Sequence, residues 1–237
     1  MTRYLLLIVA SLALGVGAVS TVQVNAMADT SSGSITSKSS VNLTPGSGTN
    51  PVNPVDPGGS GDKFPGDGED PGNEGTGSTG KLTLDYVSDF KFQQQGISNG
   101  QILTTATNPN AFVQISDRRA TGAGWQLQVN PSELVGEKDS STISSGASIQ
   151  LGAAEFIASG QNVYAAPQVV ATPTQLIPIG SYSKIAQANK FAGVGTWIMR
   201  LNYNTSEPTN LIVLGSAVTQ QQTYQGTLSW MLTDTPQ

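Results

Sequence analysis

Two short runs of alternating apolar and polar side chains limit what this chain can fold into more than any other feature of it. The first reads Trp125-Gln126-Leu127-Gln128-Val129, the second Tyr224-Gln225-Gly226-Thr227-Leu228-Ser229-Trp230-Met231-Leu232. Successive side chains of a strand point to opposite faces, so a period of two marks a half-buried β-strand. In each run a tryptophan and a leucine one residue apart fall on the same face, and two of the three tryptophans are placed this way. Leu127 and Val129 share the face of Trp125, and Leu228 and Leu232 share that of Trp230. Burying one indole removes roughly 150–250 Å² from water, worth on the order of 4–6 kcal/mol at about 25 cal/mol per Å². A platform for a sugar ring is flanked by polar groups, whereas these tryptophans have apolar neighbours. The alternation therefore favours a core face over a contact surface.

The same reading extends along the rest of the C-terminal part. Strands are predicted over 82–86, 111–116, 125–129, 147–151, 196–203, 211–214 and 224–232. Most are bounded by turn signals such as Asn99-Gly100, Asn108-Pro109 and Asn130-Pro131. Segments 149–157 and 181–192 are less regular and leave room for a short helix. Many short strands with few helical patterns predict an all-β fold, a single sandwich or a partly closed barrel-like domain over 81–237.

What precedes that domain has a different composition. Residues 1–28 read as a signal peptide: Arg3 supplies the positive start, 5–19 an uncharged apolar run, and Ala26-Met27-Ala28 a cleavage site. The apolar run is shorter than the roughly 20 residues of a spanning helix. Residues 29–80 read as a disordered linker rich in Pro, Gly, Ser and Asp, with few large apolar side chains to offset an ordering cost of about 1–2 kcal/mol per residue. This linker carries seven acids and two lysines and so the whole net charge of −5, leaving the domain nearly neutral. Asp67-Gly68-Glu69-Asp70 lacks the spacing of a calcium loop.

Composition also removes function classes. With no cysteine and no histidine, the chain has no Cys/His zinc site, thiol redox chemistry or Ser-His-Asp triad, and an exported domain must hold together without disulfides. Nucleic-acid binding lacks the clustered Lys and Arg it requires. The carboxylates Asp85, Asp89, Glu133, Glu137 and Asp139 are the available acid–base groups, but they lie among turn residues and read as solvated charges. No enzyme and no cofactor is expected. Gly122-Ala123-Gly124 and Gly193-Val194-Gly195 lack the Lys-Ser/Thr of a phosphate loop and read as turn or bulge glycines leading into strands. In Asp117-Arg118-Arg119, Arg118 either bridges Asp117 to a neighbouring strand or offers its planar fork to a ligand carboxylate.

Taken together, three stretches resemble the WxL-domain surface proteins of Gram-positive bacteria. The opening Leu82-Thr83-Leu84-Asp85-Tyr86-Val87 with Phe90 and Phe92 is similar to the family's start. Ser116-Asp117-Arg118-Arg119-Ala120-Thr121-Gly122-Ala123-Gly124-Trp125-Gln126-Leu127 resembles its first motif, and 224–236 its terminal one. The resemblance implies an exported protein at the cell wall and cell surface, attached non-covalently, with peptidoglycan as receptor. It also implies assembly with other exported surface proteins, membrane-anchored and sortase-anchored. Trp125, Leu127, Trp230 and Leu232 become the candidate wall-binding motif residues, with Asp117 and Arg118 as supporting contacts. Gln-rich 216–222 departs from the family pattern, as do Lys91 and 93–95. No Leu-Pro-x-Thr-Gly signal or lipid-bearing cysteine is present, so retention is expected to run through the folded domain, with no membrane span after signal cleavage.

Overall fold

Period-two patterning becomes strand throughout the computed structural model, which describes Val41, Thr44 and residues 47–234. The signal peptide expected over 1–28 and the start of the linker lie outside the described residues. The chain divides into units Met1–Asn42 and Leu43–Gln237, and the fold below belongs to the second. In chain order its strands are β1 Leu82–Val87, β2 Gln101–Thr105, β3 Phe112–Asp117, β4 Trp125–Pro131, β5 Leu134–Gly136, β6 Thr142–Ile143, β7 Ala147–Gln150 and β8 Glu155–Ala158. There follow β9 Gln168–Val169, β10 Leu176–Pro178, β11 Ser183–Ala188, β12 Gly195–Arg200, β13 Asn210–Leu214, β14 Tyr224–Gln225 and β15 Leu228–Asp234. One short 3-10 turn, Gly215–Ala217, is the only helical piece among the described residues.

The strands form four antiparallel sheets, ordered β1-β3-β12-β8, β10-β7-β13-β2, β15-β4-β11-β9 and β14-β5-β6. None closes on itself, and the all-β class expected from the sequence holds. The main core lies between inner faces. Val113, Ile115 and Met199 come from the β1-β3-β12-β8 sheet, and Trp125, Leu127, Val129, Ile185 and Ala188 from the β15-β4-β11-β9 sheet. Ile149 and Ile177 join from the β10-β7-β13-β2 sheet.

Strand β3 is buried at every position. Val113 and Ile115 face the main core, so Phe112, Gln114 and Ser116 need a cover on the other side. Residues 47–80 supply it. This corrects the expectation of a disordered linker for that part of 29–80. Phe64 is buried, its ring edge-on to Phe112 at 4.9 Å and to Tyr86 at 5.3 Å, while Tyr86 and Phe112 stack at 4.3 Å. Ile198 completes this second cluster, with Val55 and Ile157 against it.

Polar groups fasten the same cover. The Gln114 carboxamide accepts from Val55 N (2.9 Å) and donates to Asn53 O (3.1 Å) and Asp85 Oδ2 (3.0 Å). Asp70 Oδ2 accepts from Asn73 Nδ2 (2.7 Å), Asp89 N (3.0 Å) and Tyr86 Oη (3.2 Å). Composition misleads here because it asks whether 29–80 can build its own core. A segment that only caps an existing aromatic face needs one large ring and a few satisfied hydrogen bonds.

Smaller differences also have local causes. The predicted strand 196–203 stops at Arg200. Asn202 there turns to φ +52, its amide donating to Ala106 O (3.1 Å) and Asn108 O (2.8 Å). The run 224–232 is two strands in two sheets: β14 pairs β5, and β15 pairs β4. Segments 149–157 and 181–192 hold β8 and β11 and no helix.

Candidate functional site

The two Trp-x-Leu motifs meet in adjacent strands. In the β15–β4 ladder Leu232 stands opposite Leu127, Trp230 opposite Val129, and Asp234 opposite Trp125. Equal register parity puts all four motif side chains on the inner face. Trp125 and Leu127 are fully buried, and Trp230 and Leu232 are half-buried against the same core. Trp125 also reaches across the sandwich, its ring edge-on to Phe156 of β8 at 5.9 Å.

The two glycine clusters belong to this one feature. Trp125 Nε1 donates to Gly193 O at 3.2 Å, which satisfies the only polar atom of a buried indole. A Cβ at Gly193 would lie 2.8 Å from Trp125 Nε1 and 2.5 Å from Ala188 Cβ. One at Gly124 would lie 2.3 Å from Ala188 O, and Gly124 also sits at φ +81. The Gly-Val-Gly run thus meets the indole through Gly193, while Gly124 of the lead-in lets the chain entering Trp125 lie against the Ala188 backbone. Read separately in the sequence, each looks like an ordinary turn.

The Asp-Arg-Arg stretch resolves differently from the expectation. Arg119, not Arg118, grips Asp117: Arg119 Nε donates to Asp117 Oδ1 at 2.9 Å and NH2 to Oδ2 at 2.7 Å. NH2 also donates to Gly124 O at 2.7 Å, and NH1 to Asp234 Oδ1. The Asp117 carboxylate is 1% exposed and the Arg119 side chain 12%. The bonds to Asp117, against the opposing effect of burial and with help from Asp234, raise the guanidinium pKa further, so it stays charged. Arg119 therefore ties the end of β15 to the end of β3 and to the backbone leading into Trp125. Strand parity could have identified it, since residue i+2 returns to the side of residue i while Arg118 points away. Arg118 instead donates to Gly80 O (2.7 Å) and Asn50 O (3.2 Å), holding the N-terminal cover.

Of the carboxylates considered as acid–base groups, Asp85, Glu137 and Asp139 accept structural hydrogen bonds. Asp85 is buried and accepts from Thr83 Oγ1 and Ser116 Oγ, each at 2.6 Å. Its burial raises the pKa, against the lowering effect of those donors, Gln114 and Arg118. Exposed Asp139 accepts from Gln222 Nε2 at 2.7 Å, which with the Ser141 bonds holds its carboxyl below the usual range. The Gln-rich departure has a use of its own: Gln222 Oε1 accepts from Lys138 N at 2.8 Å, pinning the loop to the β5–β6 hairpin.

Around a buried centre, then, the sheet turns outward a mainly polar face that carries Lys184 as its charge on β11. Between the inward residues of β4 and β15 lie Gln126, Gln128, Ser229, Met231 and Thr233. Such a scaffold can hold a rigid surface. A protein family described as WxL domain, surface cell wall-binding, matches the chain over residues 30–236. No curated protein and no solved structure matches it.

Proposed function

The chain belongs to the WxL family of surface cell wall-binding domains, and from that premise we propose that it attaches non-covalently to peptidoglycan as a subunit of an exported surface complex. The observation that carries this reading is the extent of the family match, which takes in both motifs and the N-terminal cover alike. The binding unit is then the whole of the packed body, including residues 47–80, and not a sandwich beginning at Lys81. Export is assigned to the signal sequence over residues 1–28. No helix among the described residues is long and apolar enough to cross a membrane.

Within this reading Trp125, Leu127, Trp230 and Leu232 serve attachment by fixing the fold. Asp117, through Arg119, locks the terminal strand. A partner protein has its own place to dock. β15 is the end strand of its sheet, hydrogen-bonded among the described residues to β4 on one side only. An open edge of this kind accepts an added strand from another exported protein.

Sedimentation of the purified chain with isolated cell walls, before and after wall proteins are stripped, tests the two parts together. Binding that survives stripping supports peptidoglycan as the receptor. Binding that disappears with the proteins assigns attachment to a partner, and protein left wholly in the supernatant in both cases defeats the proposal.

A further inference from the structure

We propose that the wall contact is made by Phe191, on the loop that the buried Trp125 holds from behind, and that its ligand is the glycan strand of the wall; this rests on the wall-binding reading above. Phe191 is 65% exposed. It is the third residue of a turn closed by Ala192 N to Asn189 O at 2.9 Å, and its φ is +64. That position ordinarily takes glycine, and a bulky aromatic there is a strained outlier.

Its surroundings hold the ring in place. Phe191 N donates to Gly122 O at 2.8 Å, and a Cβ at Gly122 would lie 2.6 Å from Phe191 Cδ1, so one side of the ring rests on the motif backbone. Two residues on, Gly193 O accepts from the Trp125 indole and Gly193 N donates to Ala165 O at 2.9 Å. A bridge between Ala165 and Ala192 brings the neighbouring loop alongside, with Tyr164 51% and Val163 94% exposed.

The polar neighbours that Trp125 and Trp230 lack are present here. Gln187 Nε2 donates to Asn189 Oδ1 (3.3 Å), and Asn189 Nδ2 to Gln168 Oε1 (3.5 Å), a chain of neutral amides running up to the turn. The Lys190 ammonium lies over the ring, 5.3 Å from its centroid, and a sugar stacked on that face would displace this flexible side chain. A sugar ring has an apolar C–H face for an aromatic to stack on and hydroxyl and acetamido edges for amides to bond. The two halves of that requirement lie side by side at this loop. The buried tryptophan then acts as the post that fixes an exposed phenylalanine.

The test compares the intact chain with Phe191→Gly and Phe191→Tyr in binding to protein-stripped walls, and to glycan strands freed of stem peptides by amidase digestion. Glycine permits the same φ without strain, and its unfolding midpoint reports that the domain stays folded. The expected result is binding weakened about tenfold or more in Phe191→Gly, as for loss of an aromatic anchor, and retained in Phe191→Tyr. Equal binding by Phe191→Gly and the parent chain overturns the assignment while leaving wall attachment standing. So does equal loss in both variants. Binding to walls but not to freed strands overturns glycan as the ligand, and a parent chain that binds neither removes the underlying reading instead.

Discussion

Phe64→Ala is the most direct test of whether residues 47–80 belong to the folded body. Full burial of a phenylalanine contributes about 1.5–3 kcal/mol. Its edge-to-face contacts with Phe112 and Tyr86 add about 0.5–1.5 kcal/mol each beyond area. The sum, about 2.5–6 kcal/mol, brackets the usual cost of about 3–5 kcal/mol for a buried Phe→Ala change. That figure has a ceiling set by the attachment itself. Once the loss exceeds what Gln114, Asp70 and Arg118 contribute to holding the segment, the segment detaches and the sandwich beneath it survives as a smaller unit. Urea unfolding and trypsin cleavage at Lys63, located by mass spectrometry, distinguish the two limits. The expected outcome is a lower midpoint with faster cleavage at Lys63, which in the parent chain is bridged to Val55. A stability change below about 0.5 kcal/mol, typical of a neutral surface substitution, with unchanged cleavage would refute the packing argument and return the segment to a passive tether.

Three other outcomes follow from the same geometry. Arg119→Ala strands the buried Asp117 carboxylate and is expected to cost about 3–5 kcal/mol in chemical unfolding; adding Asp117→Ala to it should recover part of that loss. Gly124→Ala puts a methyl 2.3 Å from Ala188 O at φ +81, and a fall in unfolding free energy of about 1–3 kcal/mol is expected, the β4–β11 contact having to shift. For Asp85, burial raises the folded-state pKa above the ordinary 3.8, so the folded chain takes up this proton before the unfolded one does. Its contribution to stability is fully present below 3.8 and is lost as pH rises through the raised value. Asp85→Asn should therefore flatten the pH dependence of the urea midpoint in that window.

Much of the architecture was legible in the sequence because strands are local. Period two identified β1, β3, β4, β7, β12, β13 and β15 to within a few residues, and the inward placement of Trp125 and Leu127 followed from their apolar neighbours. β2, β5, β6, β8, β9, β10 and β11 lie outside the predicted strands; most are short or irregular in pattern, and Gln101–Thr105 carries polar side chains within the strand. The site was less legible. Adjacency in the chain points to Arg118 as the partner of Asp117, whereas parity along the strand gives the pairing to Arg119, two residues away. Phe191 lies in an irregular stretch, where an aromatic carries no periodic signal.

The sequence by itself determined what depends on neighbours along the chain: the all-β class, the direction of the motif side chains, and the absence of thiol and imidazole chemistry. Only the tertiary structure decided what depends on residues far apart. It paired the two motifs across one ladder, set Gly193 against the Trp125 indole and Gly124 against Ala188, and brought Asp234 to Arg119. It also turned a stretch that cannot fold alone into the cover of a sheet. The physical reason is the same in each case. Burial and close contact are properties of surfaces that meet, and a segment's own composition says little about the surface it will meet.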